Sequence, residues 1–273
     1  SSYALTDVEK PERVNDIVYG EVLYEYHQGH AFQALSLLNV AHEKGGIKGH
    51  GEHPKLVEGG LLLSYGMTQA AKKIFEVLLH ETLSRRDQNL AWFYLGKVFY
   101  LEQHYTDAMS SFEKIHLEDF KHSDQDMFYE QVYLSAQMSL YEQNIETFTT
   151  TLKRLPVQHI YRYYCDYNYA VSLVSPENNA AAIEQFSQLK ASLLLAKDAS
   201  GIDSNITAEL AALYNQTLLT LGQLYLQQAH YERAFDTLKH IDKDSLFSDQ
   251  GLFFYAIAGS HLQHYERALS ALH

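Results

Sequence analysis

Four residues near the start of the chain have the types that hold metal ions: His42, followed by His50, Glu52 and His53 in the run HGEH. Two imidazoles and a carboxylate are a sufficient protein ligand set for zinc. The spacing is not the helical H-E-x-x-H pattern, and in a chain with 15 histidines the alternative is an exposed loop with chance clustering. Gly46, Gly49 and Gly51 lie in the same stretch. A phosphate loop needs a preceding strand and a complete dinucleotide or P-loop pattern, and neither is present. Cys165, the single cysteine, falls within the aromatic run Tyr161–Tyr169. Such a thiol serves as a small buried apolar group, or as a nucleophile if it has a neighbouring base and exposure. Ser84-Arg85-Arg86 is too short for a basic patch and reads as a solvated linker. No catalytic constellation emerges, so the expectation is a protein that is not an enzyme and carries no cofactor.

The elements that would position any of these residues are clearest between Asn89 and Ile115. Trp92, Leu95 and Phe99 recur at helical spacing, with Gly96 on the same face. Gly96 lets another helix approach closely. Ala108 does the same beside Phe112 and Ile115 in the second half, with the turn at Glu102-Gln103-His104. Two such helices are too small to close a core and must stack on neighbouring pairs.

Read against W-x2-L-G-x2-Y followed by A-x3-F, the slots are filled by Trp92, Leu95, Gly96, Phe99, Ala108 and Phe112, with Phe99 in place of tyrosine and no closing proline. This stretch resembles a tetratricopeptide repeat (TPR), of the kind found in bacterial TPR-containing proteins. Looser copies follow along the chain. The repeats are placed at 13–43, 52–83, 89–116, 129–156, 163–198, 205–242 and 249–273. In the first, Tyr19-Gly20 leads to Ala34 with two residues more than in the central repeat, and 41–55 reads as an extended connection. The second carries Gly59, Gly66, Ala71 and Phe75, and the polar stretch 116–125 reads as a connection. Ala136 to Ala170 and Gly222 to Ala256 are each 34 residues, whereas Ala170 to Gly222 is 52. The 18 extra residues are placed in two overlong helices meeting near Ser200–Asp203. The resemblance implies an all-α TPR-like α-solenoid, a right-handed superhelix of about seven helix-turn-helix repeats in one domain.

Composition is consistent with an ordered chain and narrows its partners. Of 273 residues, 46% are hydrophobic, and prolines and glycines are too few for a loop-rich or disordered protein. A net charge of −13 argues against nucleic-acid binding. No apolar run approaches the roughly 20 residues of a membrane span. The Ser1-Ser2 start suggests a removed leader or an expressed fragment. The end at Ala271-Leu272-His273, inside a second helix without a polar cap, leads to the expectation that the natural chain continues. The compartment is open, with a lean towards the bacterial periplasm or envelope.

In the family resembled, the first helix of each pair lines a concave wall. The central repeat then presents Phe93, Lys97 and Tyr100 to the groove. The equivalents are Ile17, Glu21 and Tyr24 in the first repeat, Tyr133, Gln137 and Leu140 in the fourth, and Tyr167, Val171 and Val174 in the fifth, bordered by Tyr141 and Tyr164. Tyrosine supplies apolar area and a hydrogen-bonding tip at low entropic cost. The alternative is that the 21 tyrosines fill interfaces between repeats. Lys97 is the sole base among these positions, which argues against a clamp for acidic chaperone tails. The expected function is a protein-interaction scaffold whose concave groove holds a partner peptide or helix, a neutral or basic segment being favoured. Two other expectations stand beside it: a regulatory or assembly region of a larger enzyme or envelope-biogenesis machine, and a solenoid that self-associates through its repeat ends.

Overall fold

The computed structural model describes residues 17–43, 53–175, 179–197 and 204–263, and among them every regular element is an α-helix. The described residues are all-α, folded largely as helix pairs, and the chain divides into two compact units, Ser1–Leu134 and Ser135–His273. Unit 1 contains α1 (Ile17–His27), α2 (Ala31–Glu43), α3 (Pro54–Ser64), α4 (Thr68–Leu78), α5 (Arg85–Leu101), α6 (Tyr105–Phe112) and α7 (Leu117–Ser123). The division falls within α8 (Gln125–Tyr141). Unit 2 continues with α9 (Ile145–Leu152), α10 (Ile160–Ser172), α11 (Ala180–Lys197), α12 (Ser204–Gln227), α13 (Tyr231–Leu238) and α14 (Ser248–His261).

Small residues on the first helix of a pair receive large ones from the second. A Cβ added to Gly59 would lie 2.5 Å from the Phe75 ring, one on Gly96 2.4 Å from Phe112, and one on Gly222 2.4 Å from Leu238. Twelve residues after each glycine comes a fully buried alanine: Ala71, Ala108 and Ala234. Burial of each large partner supplies about 1.5–3 kcal/mol, and the missing side chain opposite makes that burial possible. Within unit 1, α1, α3 and α5 also pack on one another in sequence, as do α10, α12 and α14 within unit 2.

The turns inside the pairs share one geometry. Gly29 and Gly66 adopt left-handed backbone (φ 75° and 72°), and Gln103, Gln143, Ala229 and Gln263 do so without being glycine (φ 58–61°). In the central repeat the Gln103 N–H donates to the Tyr100 carbonyl and the His104 N–H to that of Phe99. This is the Schellman pattern, which satisfies the last carbonyls of the first helix.

A second device closes the pairs. The Asn89 side chain, fully buried, accepts the His116 N–H through Oδ1 at 2.9 Å, and buried Asn215 accepts the Asp242 N–H at 3.0 Å. Each asparagine sits seven residues before a slot glycine, Gly96 or Gly222, and reaches a backbone group 27 residues ahead.

The structure corrects several sequence expectations. The supposed connection at 116–125 contains α7, which buries Phe120 completely and carries Glu118 and Asp119 in its first turn and Lys121 and His122 in its last. That charge order suits the helix dipole, but a seven-residue helix with one fully buried ring has too short a pattern to read as amphipathic. Arg85 and Arg86 are not a linker; they open α5, capped by Ser84, and pair with Asp119 and Asp124. Residues 41–43 belong to α2, and Pro54 and Lys55 to α3, so both ends of the expected connection 41–55 are helical, and residues 44–52 lie outside the described residues. In the first repeat the slot belongs to Val22, which is fully buried with Ala34 and Leu38, whereas Gly20 is half-buried. Val22 restores the spacing to Ala34 found in the other repeats, so no two-residue excess exists.

Candidate functional site

The first helices of the pairs carry the face on which the expected site residues were placed, and each unit builds its own version. In unit 1 the register set by Val22 makes Tyr19, Leu23 and Tyr26 the equivalents of Phe93, Lys97 and Tyr100. This displaces the assignment of Ile17, Glu21 and Tyr24. Tyr24 is 63% exposed on a different side of α1. Phe93, expected to face a groove, is 1% exposed and packs against Tyr94, Phe112 and Phe120. It is a core residue. The Lys97 ammonium reaches Glu130 at 2.5 Å and lies 6.0 Å from the centre of the Phe93 ring. Tyr100 is half-buried with its ring 5.7 Å from that of Tyr105, and Tyr133 is half-buried on α8.

A small cleft opens on α3 in this unit. Tyr26 and Tyr94 line it, and their hydroxyls are the nearest atoms to a Cβ added at Gly60, both at 3.8 Å. The cleft holds about 20 Å³, close to one water, and its lining includes Leu56, Val57, Leu90 and Met127. Arg86 and Asp124 border it, joined by paired contacts of 2.7–3.2 Å. Their two-pronged pairing leaves that end of the cleft without net charge.

Unit 2 ties its face together with amides and hydroxyls. Gln137 on α8 accepts from the Asn168 amide at 2.8 Å and donates to the Cys165 sulfur at 3.4 Å. The Tyr167 hydroxyl meets Thr220 at 3.0 Å, and its ring packs edge-on against Phe186. The Tyr164 hydroxyl donates to Glu209 at 3.3 Å. Burial, then the Glu209 charge and hydrogen bond, raise the Tyr164 pKa, so its hydroxyl stays protonated at neutral pH. Gln137, Tyr164 and Tyr167 are thus joined to neighbouring helices, while Tyr141 stands 72% exposed at the end of α8. Beside the tyrosines on α10, Val171 and Val174 are 44% and 42% exposed.

The reactive candidates take quiet positions. Burial pushes the Cys165 thiol up to about 12, with Gln137 pulling weakly the other way. Asp166 is raised as well, by burial opposed by Arg162 one turn earlier, 3.3 Å away. His53 caps α3, its ring nitrogen accepting the Lys55 N–H at 3.3 Å. The other members of the proposed metal set, His42, His50 and Glu52, and the glycines 46, 49 and 51, lie outside the described side chains. Among the described residues no group of three or more His, Cys, Asp or Glu could hold a metal ion, and no helix is long and apolar enough to cross a membrane.

Sequence reasoning missed Gly60 and the two asparagine clips. The clips had a signal in the repeated N-x6-G of Asn89–Gly96 and Asn215–Gly222, whereas the cleft requires three helices to be placed before it exists. No protein-family profile and no curated protein sequence matches the chain. Among solved structures, a chain of the complex described as Naa15/Naa10 bound to HypK-THB is similar at 16% identity, with 93% of this chain and 35% of that chain covered and a TM-score of 0.36. This chain therefore spans about a third of the length of that one, and a likeness at this level bears on neither family nor function.

Proposed function

We propose that the protein is an interaction scaffold that binds a segment of a partner protein along the first-helix face of its repeats, and that it acts by binding rather than by catalysis. The observation that carries this reading is the face formed by α10 and the residues just after it, where Val171 on the helix and Val174 beyond its end stay 44% and 42% exposed beside tyrosines whose hydroxyls are already fixed to α12. Apolar side chains held in place at a surface are what a partner can cover without ordering the scaffold anew. The elevated pKa of Cys165 supports the non-catalytic part, because a thiol near 12 holds almost no thiolate at neutral pH.

The test compares capture from a native lysate by the parent and by a variant carrying Val171→Ser, Val174→Ser and Phe253→Ser. Both must show the same helicity and melting. A partner retained by the parent and lost by the variant is expected. A partner captured equally by both would move the site away from this face.

A further inference from the structure

We draw no further inference here: the strongest candidate, the exposed apolar patch of Leu194 and Leu195 near the C-terminal end of the overlong helix α11, carries nothing because nothing in the structure shows what covers it.

Discussion

Gly59 and Gly60 are neighbours on α3, and the structure assigns opposite consequences to filling them. An alanine Cβ at 59 falls 2.5 Å from two atoms of the Phe75 ring. That ring is fully buried and stacks on Tyr94 at 5.2 Å and 8°, so it has little room to retreat. Overpacking of this kind costs about 1–3 kcal/mol, offset by the roughly 0.5–1 kcal/mol that alanine gains over glycine within a helix. Gly59→Ala should therefore destabilise by about 1–2 kcal/mol. At 60 the nearest atoms are at 3.8 Å, an ordinary contact, and only the helical gain remains. Gly60→Ala should stabilise by about 0.5–1 kcal/mol. At roughly 2–4 °C per kcal/mol the two melting temperatures should differ by several degrees. Trp92, the only tryptophan, lies on α5 in the same unit, so its fluorescence during thermal unfolding reads the relevant part of the chain. Equal melting of the two variants, or a less stable Gly60→Ala, would refute the assignment of Gly59 to a contact slot.

Other substitutions test the turns, the clips and the thiol. Ala229→Gly and Gln143→Gly place glycine where the backbone is already left-handed and should each raise stability by about 0.5–1 kcal/mol in urea titrations, whereas Gly66→Ala should lower it. Asn215→Ala leaves the Asp242 N–H without its protein acceptor and should cost about 0.5–1.5 kcal/mol; a variant as stable as the parent would mean that the hydrogen bond does not form. Cys165 should resist a thiol-alkylating reagent at pH 8 in the native protein and react fully in denaturant, as followed by mass spectrometry. Rapid native labelling would contradict its burial.

The slots were legible because they bring a severe steric demand to a fixed spacing. Gly96 with Ala108 and Phe112, and Gly222 with Ala234 and Leu238, tolerate few other residues. The first repeat hid the same register by dividing its volume differently: Val22 opposite Leu38 fills the space that glycine and phenylalanine fill elsewhere, so the nearby Gly20 drew the reading two residues away. The candidate site was less legible for a related reason. Phe93 shares a face with Lys97 by spacing alone, and only the position of Phe120, on a helix too short to announce itself, shows that the ring is enclosed. Exposure at Val171 and Val174 depends on what neighbouring helices leave uncovered, and spacing within one helix does not carry that information.

The two asparagine clips also act as rulers. Each measures 27 residues from a side chain to a backbone N–H, with a turn and a whole second helix in between. A residue gained or lost within 89–116 or 215–242 would break the measure, orphaning a buried acceptor and a backbone donor together. Changes of chain length over evolutionary time, and any tag or reporter inserted by design, are therefore excluded from those two intervals by a mechanism distinct from core packing.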